Sequence, residues 1–211
     1  MKIALIGITG KIGQHIAQEA HRRGHQITGI ARRDVQLEGE LASTPIVVAD
    51  ITDASALAQA IRGHDVLVSA FGPAPDAIGS LQTVTTALVA AARTAGIKRV
   101  LVVGGAGSLE VAPGLQLVDT PTFPDMYKPY ALAHRDALGL LRHADDLAWT
   151  FYAPAAEIGP GERKGAVRVG ARTLIADSEG HSRISYPDYA DAFVDEIENG
   201  AYIREIATAA Y

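Results

Sequence analysis

Three glycines at a fixed spacing, placed where an apolar run ends, constrain the fold of this chain more than any other feature. The run Ile3–Ile8 contains no charged residue and is typical of a strand that is buried on both faces. Gly7, Gly10 and Gly13 stand between this run and the helical pattern of Ile12–Arg23. The sequence therefore predicts a strand, a tight turn and a helix, which is the first unit of a parallel α/β sheet.

Each of the three glycines has a distinct role in such a turn. Gly7 permits the tight turn, Gly10 lets the backbone approach a pyrophosphate, and Gly13 lets the helix pack closely on the strand. The N-terminus of the helix presents free N–H groups and a partial positive charge to the phosphates. The sequence thus predicts a dinucleotide site. The residues predicted to form its first turn are Gly7, Thr9, Gly10, Lys11, Ile12 and Gly13.

Apolar runs alternate with helical patterns over the first two-thirds of the chain. This alternation predicts a parallel sheet with helices on both faces, and about six units are too few for an eight-unit barrel. We expect an open, doubly wound α/β sheet. The predicted strands are Ile3–Ile8, Gln26–Ala31, Ile46–Ala49, Asp65–Ala70, Arg99–Val103 and Ala148–Tyr152, and the predicted helices are Ile12–Arg23, Ala54–Ile61, Leu81–Ala95 and Ala131–Arg142.

The character of the sequence changes after Pro154, where glycines and prolines become frequent. With no linker in the sequence, we expect one domain over residues 1–211, in which residues from about 155 to 211 form a small cap over the open end of the sheet. The elements predicted here are a hairpin of Val167–Val169 and Arg172–Ile175, a strand at Ser182–Tyr186, a helix at Asp188–Glu198 and a strand at Ile203–Ala207.

Composition excludes several classes of protein. The chain has no cysteine, which excludes disulfides, cysteine-ligated metals and a cysteine nucleophile, and no other metal-ligand set is evident. A net charge of −5 argues against nucleic-acid binding. No apolar run approaches the roughly 18 residues of a membrane helix, and the start of the chain lacks a secretory pattern. We expect a cytoplasmic protein that acts on a small molecule.

The residues after the second and third predicted strands bear on the choice of nucleotide. Arg32 and Arg33 follow the second strand, and guanidinium groups can bind a ribose 2′-phosphate, which favours NADP over NAD. Asp34 keeps NAD open, because an acidic side chain near this position binds the 2′-hydroxyl of NAD. Asp50, followed by Ile51, is placed to accept a hydrogen bond from the adenine amino group, or else to cap a turn.

Two further loops follow predicted strands. Ser69–Pro73 follows the fourth strand and Gly104–Ser108 follows the fifth. Ligands of open parallel sheets bind at the carboxyl ends of the strands, so both loops are expected to border the same crevice. Their predicted cofactor-binding residues are Ala70, Phe71, Gly72, Gly104 and Gly105.

Together with the glycine motif and Asp50, these two loops resemble the atypical short-chain dehydrogenase/reductase group. More narrowly, the chain resembles bacterial proteins described as NADH-flavin reductases, which are similar to mammalian biliverdin reductase B/flavin reductase. The resemblance covers nearly the whole chain. It implies a Rossmann fold and a nicotinamide cofactor, but no particular substrate. The other segments that carry the resemblance are Val118–Pro121, Trp149–Phe151, Pro160–Arg163 and Ile184–Ala190.

The reductase superfamily usually carries a serine, a tyrosine and a lysine, and this chain departs from that pattern. Ser108 stands where the serine could stand, but the Tyr-x-x-x-Lys spacing is missing. Tyr127 directly precedes Lys128, and Tyr130 is followed four residues later by His134. The candidate catalytic residues are Ser108, Tyr127 and His134. For His134, a helix-surface position is the competing interpretation.

Three functional hypotheses follow. The first is an NAD(P)H-dependent oxidoreductase that passes hydride to a flavin or a similar planar acceptor such as a quinone, with the flavin as substrate rather than as a tightly bound group. The second is a non-catalytic NADP-binding redox sensor. The third is a reductase or epimerase that acts on a small carbonyl compound or sugar. The long helix at Leu81–Ala95 has an apolar face, which could pack on a second copy of the chain in a homodimer or on the sheet.

Overall fold

A mainly parallel eight-stranded sheet with helices on both faces organises the computed structural model, which describes all 211 residues. The strands are β1 (Lys2–Ile6), β2 (Gln26–Ala31), β3 (Ile46–Val48), β4 (Val66–Ser69), β5 (Arg99–Val103), β6 (Glu110–Ala112), β7 (Leu115–Gln116), β8 (Ala148–Pro154), β9 (Glu157–Gly159), β10 (Arg168–Gly170), β11 (Arg183–Ser185) and β12 (Glu205–Ala210). The helices are α1 (Lys11–Arg22), α2 (Ala54–Ala60), α3 (Ser80–Ala95), α4 (Lys128–Arg142) and α5 (Tyr186–Asn199). None of these helices combines the length and apolar character needed to cross a membrane.

The strand order of the main sheet is β10-β12-β8-β5-β4-β1-β2-β3. All neighbouring strands are parallel except β10, which pairs antiparallel with β12. The doubly wound α/β prediction is confirmed. The order of winding reverses beside β1, which pairs with β2 on one side and β4 on the other. A crevice at the carboxyl ends of β1 and β4 is the usual ligand position of such a sheet.

Two apolar layers hold the helices on the sheet. In β1, Ala4 and Ile6 belong to the layer under α2, α3 and α4, whereas Ile3 and Leu5 belong to the layer under α1 and α5. Alternate side chains of a strand point to opposite faces, so a strand covered on both faces must be apolar throughout. This is why β1 is a continuous apolar run.

The last quarter of the chain differs from the prediction in one pairing. The hairpin of Val167–Val169 with Arg172–Ile175 is wrong, because β10 pairs with β12, with Arg168 opposite Ala210. The Arg172 carbonyl accepts a hydrogen bond from the Glu110 N–H instead. β12 offers a long unpaired edge to β10, whereas the segment after Gly170 turns away to the β6 strand.

Residues 155–211 contribute to two different parts of the fold. β10, β12 and α5 join the main sheet and its helix layer. β9 begins just beyond the carboxyl end of β8 and pairs in parallel with β11 in a separate two-stranded sheet. The predicted strand at Ile203–Ala207 is shifted toward the C-terminus, because residues up to Arg204 form a turn.

Candidate functional site

The turn between β1 and α1 has no room for a side chain at Gly7 or Gly13. Gly7 has a φ of +82°, and a Cβ on it would lie 2.5 Å from the Ala70 carbonyl oxygen. A Cβ on Gly13 would overlap the carbonyl group of Gly7. The glycines thus allow the β1 turn, the end of β4 and the first turn of α1 to touch one another, as the motif predicts.

The N-terminus of α1 is free to bind an anion. Gly10 is the N-cap and supplies no side-chain hydrogen bond to the helix, and no acidic residue lies in the first turn. The first N–H groups of a helix have no acceptor within it, so these donors and the helix dipole favour a phosphate. The turn therefore fits the pyrophosphate of a dinucleotide.

A cavity of about 550 Å³ opens beside this turn, at the carboxyl ends of β1, β2 and β4. The predicted cofactor residues that line it are Gly7, Thr9, Gly10, Arg32, Arg33, Ile51, Ala70, Phe71 and Gly72. The other predicted cofactor residues, which are Lys11, Ile12, Gly13, Asp50, Gly104 and Gly105, do not line it. The sequence prediction had missed the apolar wall of the cavity, formed by Ile6, Ile8, Ile30, Ala31 and Val35. These apolar residues stand close to the predicted cofactor residues in the sequence, and this position is the signal that could have identified them.

Two guanidinium groups border the cavity without intramolecular partners. Arg32 and Arg33 are exposed where β2 ends, and neither forms an ion pair within 4.0 Å. Asp34 is exposed as well and does not line the cavity. The arrangement leaves both arginines free to bind a phosphate that enters the cavity.

Asp50 caps a turn after β3. Its carboxylate accepts hydrogen bonds from the Thr52 hydroxyl at 2.7 Å and from the Thr52 N–H at 2.9 Å. These two bonds, the hydroxyl first, lower the pKa of Asp50. The turn interpretation is confirmed, whereas a contact with adenine stays a prediction.

His134 is partly buried on α4, close to the loop after β5. A Cβ on Gly105 would lie 3.1 Å from its Cγ, and its ring meets Phe151 edge-on with 6.3 Å between centroids. The His134 Nδ1 is buried and has no hydrogen-bond partner. Burial lowers the pKa of His134 to about 4, so the imidazole is neutral at pH 7. His134 is therefore a partly exposed residue of α4 whose ring packs against Phe151, rather than a fully solvated surface histidine.

The three catalytic candidates differ in exposure, and none of them faces the cavity beside the glycine turn. The side chain of Tyr127 is exposed at the start of α4, and Ser108 is 1% exposed with no partner for its Oγ. None of Ser108, Tyr127 and His134 lines the cavity beside the glycine turn. Their catalytic roles therefore stay predictions.

Comparison with known proteins agrees with the glycine turn and the cavity. A family described as NAD(P)H-binding matches residues 7–200. The chain belongs to this NAD(P)H-binding family. Its fold is the NAD(P)-binding Rossmann fold, which oxidoreductases share with epimerases.

Solved structures of similar proteins span the whole chain. A Burkholderia pseudomallei protein described as a "putative exported protein" is 55% identical, with full coverage of both chains and a TM-score of 0.94. A Streptococcus pneumoniae protein described as a "putative NADH-flavin reductase" is 35% identical, with 100% of this chain and 99% of that chain covered and a TM-score of 0.89. A Bacteroides thetaiotaomicron protein described as a "putative epimerase" has the same identity and TM-score, with 100% and 96% covered. Similarity within the NAD(P)H-binding family thus defines the cofactor class and not the substrate.

Proposed function

We propose that this protein is an NADPH-dependent reductase of a flavin or a similar planar acceptor such as a quinone. The observation that carries the proposal is that none of the three candidate proton donors lines the cavity beside the glycine turn. The pKa of His134 is about 4, Tyr127 is exposed at the surface, and Ser108 is buried elsewhere. A site of this kind suits a reaction in which no protein group has to protonate a substrate oxygen.

The residues of this chain would bind the nucleotide through its two phosphate-bearing parts, the pyrophosphate and the 2′-phosphate. The glycine turn and the N-terminus of α1 bind the pyrophosphate, and Arg32 and Arg33 bind the 2′-phosphate of NADPH. The bound nucleotide supplies the hydride from its nicotinamide ring. A flavin accepts that hydride at a ring nitrogen, so the protein contributes binding and orientation. The similar Streptococcus pneumoniae protein, described as a "putative NADH-flavin reductase", supports this acceptor class.

A flavin reductase differs from a carbonyl reductase or an epimerase because it does not need a tyrosine to act as an acid. Those reactions need an acid beside the substrate oxygen, and the Tyr-x-x-x-Lys pair that would supply it is missing. Replacing Tyr127 or Tyr130 with phenylalanine should therefore leave flavin reduction nearly unchanged. A large loss of rate in either variant would favour the carbonyl or sugar substrate.

The decisive experiment measures NADPH and NADH oxidation by the purified protein, with and without FMN, riboflavin and a quinone. Each nucleotide is also titrated in a direct binding assay. We expect turnover with NADPH and at least one planar acceptor. Tight NADPH binding without turnover on any acceptor would overturn the reductase and favour the redox sensor. A cytoplasmic location and a homodimer stay predictions, which fractionation and sedimentation would test.

A further inference from the structure

A second cavity, of about 250 Å³, lies on the opposite half of the sheet from the nucleotide site. Trp149 near the start of β8 and Glu205 at the start of β12 line it, whereas the nucleotide cavity lies at the carboxyl ends of its strands. The two cavities share no lining residue. The second cavity is therefore a separate feature of the molecule.

Two buried hydrogen-bond donors line this second cavity without a partner in the protein. Ser108 is 1% exposed and Trp149 is 3% exposed, and neither the Ser108 Oγ nor the Trp149 Nε1 has a hydrogen-bond acceptor. Buried polar groups are nearly always paired, because an unpaired one costs about 1–3 kcal/mol. Both atoms have almost no accessible surface, so a ligand in the cavity reaches them only when the two side chains turn toward it.

Three arginines surround the same cavity. Arg142 ends α4, Arg172 follows β10, and Arg204 precedes β12, so three separate segments place positive charge here. None of the three forms an ion pair within 4.0 Å. Arg204 has a φ of +59° and is the single non-glycine residue with a positive φ. Such backbone strain costs about 1–3 kcal/mol and is concentrated at functional sites.

Two carboxylates, of Glu110 and Glu205, also line the cavity and form no ion pair within 4.0 Å there. The three arginines outnumber them, so the lining carries a net positive charge. Carboxylates accept hydrogen bonds and cannot donate them. The mixture suits an anion that also carries hydroxyl groups, because the hydroxyls can donate to these acceptors.

We propose that this cavity binds a small hydroxylated anion of the hydroxycarboxylate or sugar-phosphate class. Its negative group is neutralised by the three arginines, and the Ser108 Oγ and the Trp149 Nε1 donate hydrogen bonds to it once their side chains turn into the cavity. Ser108 then belongs to this second site rather than to the nucleotide site. The inference is independent of the acceptor that the nucleotide site serves.

Trp149 is the single tryptophan of the chain, so its fluorescence reports directly on this cavity. The probes are citrate for the carboxylate class and glucose 6-phosphate for the phosphate class. Tricarballylate lacks the hydroxyl group of citrate and is the control for that group. Glucose lacks the phosphate of glucose 6-phosphate and is the control for charge. Sodium chloride at matched ionic strength is the control for a general effect of salt. We expect a saturable change with citrate or with glucose 6-phosphate, and weaker or no change with the three controls.

Variants connect that signal to the cavity. The double variant Arg142→Gln/Arg172→Gln and the variant Ser108→Ala should each weaken the responding probe at least about tenfold. Arg62→Gln, an exposed arginine outside the cavity, should leave its affinity unchanged. NADPH titration of every variant confirms that it is folded.

Two results would overturn the second site. One is that neither citrate nor glucose 6-phosphate gives a saturable signal. The other is that the signal persists at the same affinity in the double arginine variant, whose replaced side chains are both exposed.

Discussion

A Cβ atom on Gly7 would lie 2.5 Å from the carbonyl oxygen of Ala70, so the turn after β1 touches the backbone that follows β4. This contact lies at the point where the winding of the sheet reverses. Both segments line the nucleotide cavity. Any atom added between them changes the shape of that cavity and of the first turn of α1.

Gly7→Ala should therefore abolish NADPH binding and destabilise the protein. Gly24→Ala is the matched control, because Gly24 has a φ of +81° but nothing within 4 Å of an added Cβ. The control should cost about 1–2 kcal/mol from the left-handed backbone alone. Gly7→Ala should cost a further ~1–3 kcal/mol from the overlap. Urea denaturation and nucleotide titration measure both effects, and equal losses in the two variants would contradict the close contact.

Arg32 and Arg33 should determine which nucleotide the protein prefers. The double variant Arg32→Gln/Arg33→Gln removes charged hydrogen bonds to a 2′-phosphate, each worth about 1.5–3 kcal/mol. We expect NADPH to bind roughly 100-fold more weakly, or weaker still, while NADH binding is unchanged. Arg62→Gln serves as the control for total charge. If the binding of NADPH and of NADH is weakened equally, the two arginines do not bind the 2′-phosphate.

His134 should make the stability of the protein depend on pH. Its pKa is lowered by burial from 6.5 to about 4, so the unfolded chain binds a proton more readily than the folded one. Stability is therefore complete above about pH 6.5 and falls as the pH falls toward 4. Between pH 7 and pH 5 this one group should cost about 2 kcal/mol. Urea denaturation at both values measures the loss.

The variant His134→Gln isolates that contribution, because glutamine does not titrate. We expect its stability to change less than that of the natural protein between pH 7 and pH 5, by roughly the same 2 kcal/mol. His15 also has a pKa lowered by burial, but it is present in both proteins and its effect cancels. Parallel pH profiles of the two proteins would show that His134 is solvated.

Asp188 should hold the segment around Lys164 in place. Its buried carboxylate accepts hydrogen bonds from the N–H groups of Lys164 and Gly165, both at 2.9 Å, and from the Tyr211 hydroxyl at 2.6 Å. Burial raises the pKa of Asp188, but these bonds outweigh it and lower the pKa overall. Asp188→Asn turns one acceptor oxygen into a donor, so about 2–4 kcal/mol of stability should be lost.

Limited trypsin digestion reports on the same segment, because Arg163 and Lys164 are both cleavage positions. We expect faster cleavage there in Asp188→Asn. Asp195→Asn changes an exposed carboxylate of the same helix and should not increase cleavage. If both variants are cleaved like the natural protein, the segment is held by other contacts.

Local patterns predicted the glycine turn and much of the cavity lining beside it, because the determinants of both are local. The turn after β1 needs glycine at three positions of one short segment, and the apolar strands differ plainly from the helices between them. Arg32 and Arg33 were predicted from their place at the end of a strand, and they line the cavity.

The features that the sequence did not predict depend on contacts between distant segments. His134 is partly buried because Gly105 and Phe151 pack against it, and the periodicity of α4 does not reveal those neighbours. β10 pairs with β12 rather than with the segment that follows it, because the sheet offers a longer edge than a local hairpin does. Ser108 lies in a cavity whose walls come from five parts of the chain.

The two edges of the main sheet are both short. β3 and β10 each contain three residues, and each carries a valine that is about half exposed, Val48 and Val169. Short edge strands give a neighbouring molecule few backbone groups to pair with, which limits growth of the sheet from one molecule into the next. Aggregation by strand addition is therefore disfavoured at both ends, and self-association of this chain would have to proceed through its helices and loops.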